Sequence, residues 1–283
     1  MTVIKRITVL GAGTMGHGIA HASIAAGYDT RLFDVSETAL DKGRSAIESI
    51  VHKGVELGKV ASGDAASLLH RLTTTSDTAK ALEGTDFVIE AAPERIDVKL
   101  KLFADIQRLA PESAIIASNT SALSITEMAA TLTNPARVAG MHFFNPVHKM
   151  KLIEVVQALE SAPETLDAIE HVSRRMGKDT VLVRESPGFI TTRVNASLGN
   201  EAFYMLMEGV ASARDIDKAL KLGLNHPMGP FELVDLVGLD TRLSILEYLH
   251  RTMGEKYRPC PLLVQYVKAG RLGRKVGRGV YEY

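Results

Sequence analysis

The chain has 283 residues, which suits about two domains of ordinary size. Its 33 Lys and Arg balance its 33 Asp and Glu, so no net charge draws it as a whole to nucleic acid or an anionic membrane. Hydrophobic residues make up 46% and charged residues 23%, which excludes a chain too polar to bury a core. Cys260 is the single cysteine, so neither an internal disulfide nor a thiolate cluster is expected. No apolar run reaches the ~18 residues of a membrane span, and the N-terminal stretch lacks a signal-peptide layout. With no Trp and 5% aromatics, base-stacking platforms are poorly supplied. A soluble cytoplasmic protein is expected, with no nucleic-acid or membrane partner.

Ile4, Ile7, Val9 and Leu10 predict a first strand. Gly11, Gly13 and Gly16 follow, and then Met15, Ile19, Ala22, Ile24 and Ala25 line a helix that stops at Gly27. Thr30, Leu32 and Phe33 make a second strand closed by Asp34. Strand, helix and strand at this length imply a parallel pair joined by a right-handed crossover. Further helices are predicted over 37–57, 98–109 and 164–176, the last turn of the second ended by Pro111. Strands are predicted over 87–89, 114–117, 138–144, 152–156 and 181–183. Ser124 and Glu127 have capping-box spacing before another helix. This alternation is the pattern of an α/β fold with a doubly wound sheet. After Pro187 the β-branched runs vanish, and 189–208, 212–222 and 232–253 all read as helices. The expected organisation is an α/β domain over 1–186 and an all-helical C-terminal domain over 187–283.

Gly11-Ala12-Gly13-Thr14-Met15-Gly16 has the G-x-G-x-x-G spacing. The first glycine makes the tight turn, the second lets a pyrophosphate approach the backbone, and the third lets helix pack on strand. Alone the string is weak. Here it follows a strand, opens a helix, and is followed 23 residues after Gly11 by Asp34, where a carboxylate should meet the ribose hydroxyls. A carboxylate there repels a 2′-phosphate, which favours NAD over NADP, although Arg31 lies nearby.

His17 and His21, four apart, read as a helix-surface pair, since no carboxylate completes a metal set. His52, His70, His148, His171 and His250 read as solvated, and His226 as part of a turn. His142 differs: it sits late in an apolar run, Val138 to Phe144, which Asn145-Pro146 stops. A histidine at that end of a strand points to the crevice where open α/β sheets bind ligands. Twelve residues on, Glu154 interrupts the apolar run Leu152-Ile153-Glu154-Val155-Val156, and a carboxylate there needs a partner. The two residues are either an oriented general base or a structural hydrogen bond. Ser118-Asn119-Thr120-Ser121, at another strand's end, is either a turn or a second set of polar groups facing the same crevice.

Taken together, these strings resemble one family. The glycine turn, Ser118-Asn119-Thr120-Ser121, His142-Phe143-Phe144-Asn145-Pro146, Lys151-Leu152-Ile153-Glu154-Val155, Ser186-Pro187-Gly188-Phe189 and Asn225-His226-Pro227-Met228-Gly229-Pro230 match the NAD-dependent L-3-hydroxyacyl-CoA dehydrogenases along essentially the whole chain. Within that family the resemblance is to the short-chain bacterial type acting on 3-hydroxybutyryl-CoA. It implies a Rossmann-type domain, an acyl-CoA substrate, NAD as cofactor and a homodimer. It implies His142 as the catalytic base, Glu154 as the residue that orients it, and Ser121 as a contact to substrate and nicotinamide. Asn145, Glu94, Lys99 and Lys275 match cofactor contacts of the family. Thr192 stands where the family often has Asn, so a hydroxyl replaces an amide there. Lys53 and Lys59 are the candidates for binding coenzyme A, with solvated surface lysines as the alternative.

Two other readings stay open at this point. One is a β-hydroxyacid dehydrogenase acting on a free acid; enzymes of that kind use a catalytic lysine. The other is a dinucleotide-binding structural protein without chemistry. Apolar residues of the C-terminal helices (Phe203, Met205, Leu206, Phe231, Val234, Val237, Leu243, Leu246 and Leu249) are expected to serve either a dimer interface or a core.

Overall fold

The computed structural model describes residues 3–61 and 63–283. The chain divides into two compact units, Met1–Glu185 and Ser186–Tyr283.

The first unit is built on one sheet. Strand β1 (Arg6–Leu10) leads through helix α1 (Thr14–Ala25) to β2 (Asp29–Phe33). Ile7, Val9 and Leu10 are fully buried, as expected of a parallel strand covered on both faces. Helix α1 ends where Gly27 takes φ +83°, a turn that a side chain would disfavour. Helix α2 (Glu37–Glu56) is capped by Ser36, whose hydroxyl accepts from Ala39 N, and it buries Leu40, Ile47 and Val51. Then come α3 (Ala65–His70), β3 (Leu72–Thr75) and α4 (Thr78–Leu82), with Asp77 capping α4. Strand β4 (Phe87–Glu90), α5 (Ile96–Leu109), β5 (Ile115–Ser118), α6 (Ile125–Ala129) and β6 (Val138–Phe143) continue the alternation. Strand β7 (Leu152–Gln157), α7 (Pro163–Arg175) and β8 (Asp179–Arg184) close the unit.

The eight strands lie in the order β3-β2-β1-β4-β5-β6-β7-β8. The first six reproduce the doubly wound dinucleotide-binding order, with its switch point between β1 and β4. All neighbours are parallel except β6 and β7. The chain returns from β6 to β7 without a crossover helix, so the pair must run antiparallel. That return sets His142 and Glu154 opposite one another in register.

The second unit is helical: α8 (Thr191–Met207), α9 (Ala213–Gly223), α10 (Pro230–Val237), α11 (Leu239–Met253) and α12 (Pro261–Lys268). Its core joins Phe203, Phe231, Leu246, Leu249, Tyr257 and Leu263, and the Phe203 and Phe231 rings meet edge to face at 5.2 Å. Two buried carboxylates hold the C-terminal segment. Asp217 accepts from the Tyr281 hydroxyl at 2.7 Å, and Asp235 accepts from Val280 N and Tyr281 N at 2.8 and 2.9 Å.

The elements differ from the sequence reading in two places. The single helix over 232–253 is two helices, because Gly238 breaks it at φ +105°. Helices α3, α4 and α12 and strand β3 escape the sequence reading; β3, Leu72-Thr73-Thr74-Thr75, is a short and mostly polar edge strand. Of the apolar residues expected to serve either an interface or a core, Phe203, Phe231, Val234, Leu246 and Leu249 are 0% exposed and belong to the core.

Candidate active site

The carboxyl ends of β1, β2, β4, β5 and β6 lie along one edge of the sheet, and the chemistry-bearing residues of the first unit collect there. At the switch point, a Cβ on Gly11 would stand 2.5 Å from Ala91 O, and one on Gly16 would stand 1.7 Å from Gly11 O. Any side chain at either position would force β1, β4 and α1 apart. Gly13 has nothing within 4 Å of its Cβ position, and it caps α1 with no side-chain bond to the first-turn N–H groups. The backbone at Gly13, Thr14, Met15 and Gly16 therefore offers open donors at a helix N-terminus, the arrangement that suits a pyrophosphate. Asp34 closes β2, and its carboxylate is held by Ala12 N at 2.9 Å and Ser36 N at 3.0 Å. Both oxygens keep acceptor capacity for ribose hydroxyls. The loop thus fits NAD on its own geometry.

At the end of β4 stands a residue the sequence reading passed over. Glu90 is fully buried and accepts from Lys99 Nζ at 2.6 Å, Ser118 Oγ at 2.5 Å and Ala92 N at 2.7 Å. Lys99 also lies 3.3 Å from Glu94. Glu94 in turn accepts from Thr120 Oγ1 at 2.7 Å and Ser121 N at 2.8 Å. Lys99 itself is 1% exposed and sits between the two carboxylates, bonded to Glu90. Its charge is consumed inside the protein, where it fixes Glu90 and Glu94; Glu94 is the member of the set that faces outward. Ser118 likewise belongs to the frame, and Ser121 is the partly exposed serine of the string.

His142 Nδ1 lies 2.7 Å from Glu154 Oε2 across the β6–β7 pair, with side-chain exposures of 6% and 0%. A carboxylate on Nδ1 fixes the proton there and leaves Nε2 as the basic nitrogen. The His142 ring also stacks at a tilt on Phe144, centroids 4.6 Å apart. Asn119 was not singled out from the sequence by itself. Its Oδ1 accepts from Phe143 N at 2.9 Å, tying the end of β5 to the residue next to His142. Asn145 lies two residues past the end of β6 and is exposed.

Lys53 is exposed and paired with Glu56 at 2.7 Å, and Lys59 is exposed on the turn after α2. Thr192, in the first turn of α8, and Lys275, paired with Asp240 at 2.6 Å, belong to the second unit. The reading of His17 and His21 as a surface pair is corrected. Burial, reinforced by the positive charges of His148, Lys178 and His17, lowers the His21 pKa to about 4. Its Nδ1 is buried without a hydrogen-bond partner among the described residues.

A glycine loop at the switch point of a 3-2-1-4-5-6 sheet, a carboxylate after β2 and a carboxylate-held histidine at the same edge define a dinucleotide-binding oxidoreductase fold. Comparison with known proteins gives the family. The 3-hydroxyacyl-CoA dehydrogenase NAD binding domain matches residues 6–186, and the 3-hydroxyacyl-CoA dehydrogenase C-terminal domain matches residues 188–283. The chain belongs to the 3-hydroxyacyl-CoA dehydrogenase family, NAD-dependent enzymes. Among its relatives, a probable 3-hydroxybutyryl-CoA dehydrogenase of Bacillus subtilis is 46% identical over 281 residues, covering 99% of this chain and 98% of the relative. A mitochondrial hydroxyacyl-coenzyme A dehydrogenase of Sus scrofa is 39% identical over 99% of this chain and 92% of its own length. The crystal structure of (S)-3-hydroxybutyryl-CoA dehydrogenase from Ralstonia eutropha superposes with a TM-score of 0.95 at 43% identity, covering 99% of both chains. No helix among the described residues is long and apolar enough to cross a membrane.

Proposed function

We propose that this chain interconverts (S)-3-hydroxybutyryl-CoA and acetoacetyl-CoA, with His142 as the proton-transferring base and Glu154 as the residue that orients it. The observation that carries the reading is the buried 2.7 Å bond between His142 and Glu154 at the carboxyl edge of the sheet. The short acyl chain is supported by the names of the relatives in Bacillus and Ralstonia.

Bound NAD supplies the hydride chemistry, held by the Gly11–Gly16 loop, Asp34 and Glu94, with Asn145 and Lys275 as further contacts. In the oxidising direction His142 Nε2 takes the proton of the C3 hydroxyl. In the reducing direction the imidazolium returns it to the C3 oxygen. Glu154 holds the tautomer and stabilises the imidazolium while it exists. Ser121 hydrogen-bonds the C3 oxygen. Thr192 contacts substrate through its hydroxyl, and Lys53 and Lys59 serve the coenzyme A moiety. The division of labour is a cofactor domain over 1–186 and a substrate and dimerisation domain over 187–283. Exposed apolar side chains of the second unit, Val194, Val210, Leu222 and Leu236 among them, support a homodimer.

The test is oxidation of NADH with acetoacetyl-CoA run beside free acetoacetate and beside NADPH. Turnover of the thioester with NADH alone is expected. Preference for free acetoacetate overturns the substrate, and equal use of NADPH overturns the role of Asp34. Thr192→Val should cost about five- to a hundredfold in kcat/KM if its hydroxyl touches substrate in a desolvated site.

A further inference from the structure

The strands of the first unit carry a second concave site at their other ends. The cofactor loop follows the carboxyl end of β1, whereas Arg6 opens β1, Asp29 opens β2 and Arg71 directly precedes β3. Arg6 and Asp29 are register partners across β1 and β2, and two rows further Arg31 pairs in register with Thr8 on one side and Thr73 on the other. In a strand, residues two apart share a face, so Asp29 and Arg31 point to the same side of the sheet. There they line a pocket of about 290 Å³ together with Arg6, His70, Arg71 and Thr73.

The charge of this pocket is unbalanced. Three guanidinium groups line it against one carboxylate, and that carboxylate, Asp29, is already engaged by Arg71 Nη1 at 3.0 Å. Arg31 is held by backbone carbonyls, Ala81 O at 3.5 Å and Glu83 O more closely, and Arg6 Nη1 donates to Gly84 O at 3.1 Å. Carbonyl oxygens orient a guanidinium without neutralising it. Burial and the positive charge of Arg6 lower the pKa of Arg31, and Glu83 opposes that shift only in part. Asp86, the next carboxylate along, is occupied by Lys5 N and Arg6 N, both at 2.8 Å. Two unneutralised arginine forks held at fixed angles over a cavity match the oxygens of a phosphoryl group.

We propose that this pocket at the amino ends of β1, β2 and β3 binds a phosphate-bearing anion, independently of the cofactor crevice. Arg6 and Arg31 supply the charge, Arg71 the third fork, and Thr73 a hydroxyl donor. Because the pocket and the glycine loop lie at opposite ends of β1, both are filled together.

The test is calorimetric titration of inorganic pyrophosphate into the full chain saturated with NADH, so that the crevice is closed to the probe. One binding event per chain is expected, weakening as salt is added. Arg31→Gln and Arg71→Gln should each weaken it about tenfold or more. Arg71 is exposed at the pocket rim, so its variant tests the site even if loss of Arg31 disturbs folding. Asp29→Asn removes the competing carboxylate and should tighten binding severalfold, a change of sign that a loosened fold would not produce. Absence of heat at millimolar pyrophosphate, heat that disappears once NADH is bound, or affinities unmoved by Arg71→Gln and Asp29→Asn would each overturn the proposal.

Discussion

Two buried carboxylates stand on the same sheet, and the proposed function gives them different work. Glu90 on β4 and Glu154 on β7 are both 0% exposed, and each bonds a basic side chain at 2.6–2.7 Å. The partners differ. An ammonium has three donors and no acceptor, so Lys99 can only hold Glu90 and Glu94 in place. A neutral imidazole has one donor and one acceptor, so His142 can give a proton toward Glu154 and take one on its other nitrogen. Glu90 is further saturated by Ser118 Oγ and Ala92 N. The carboxylate alone therefore does not mark a catalytic site. The proposed role of His142–Glu154 rests instead on a partner whose second nitrogen can take up and return a proton.

The sharpest way to break the comparison is at the histidine. His142→Ala should lower kcat by about 10²- to 10⁴-fold while leaving the dissociation constant of NADH nearly unchanged, because proton transfer acts in the transition state. Stopped-flow turnover with acetoacetyl-CoA, beside NADH binding by fluorescence, measures both. Near-normal turnover would reduce His142–Glu154 to the same kind of structural pair as Lys99–Glu90.

The converse change is Lys99→Met. Removing one partner leaves Glu90 as an uncompensated buried charge, which costs about 3–5 kcal/mol. Chemical denaturation should show this loss directly. NADH binding should weaken as well, since Glu94 loses a neighbour 3.3 Å away. A variant as stable as the parent would overturn the reading of Lys99–Glu90 as a structural pair.

A half-buried histidine tests what a carboxylate partner does for such a ring. His21 has none, and its pKa is lowered from 6.5 to about 4, by burial first and by surrounding positive charges second. The folded state thus holds His21 neutral where the unfolded chain would protonate it. Stability from this group is fully present above about pH 6.5 and is lost as pH falls toward 4, to the extent of about 3 kcal/mol. His21→Gln, neutral at every pH, should flatten the melting temperature between pH 6.5 and 4. An unchanged slope would assign the acid sensitivity to other groups.

How much of this was legible in the sequence follows from the same residues. Glu154 stood out because a carboxylate in the middle of an apolar run has no other explanation than a partner. Glu90 follows the equally apolar run Phe87-Val88-Ile89 by one residue, and a strand read as ending at Ile89 hides it in a loop. The glycine loop was legible because each of its glycines answers a separate steric demand. The pairing of His142 with Glu154 was legible only as spacing: the antiparallel return that sets them in register leaves no mark on either strand's composition. Strand β3 was lost because an edge strand of three threonines carries no apolar alternation. The break at Gly238 was lost because apolar periodicity runs through it from α10 into α11.

The two carboxylate sites are joined by one short string, and the smallest predicted effect lies there. Ser118 donates to Glu90, Thr120 donates to Glu94, and Asn119 between them accepts from Phe143 N, beside His142. Asn119→Ala leaves the Phe143 N–H buried without its acceptor, which costs about 1–3 kcal/mol. The bond does not touch the His142 ring, so its loss acts on position and not on proton affinity. Turnover should fall severalfold, well short of the loss in His142→Ala, while the pH profile of kcat keeps its shape. Asn119→Asp restores an acceptor of the same reach and should recover most of the stability. If turnover instead falls as far as in His142→Ala, Asn119 does more than tie the strands, and the line between frame and chemistry runs through this string rather than between the two carboxylates.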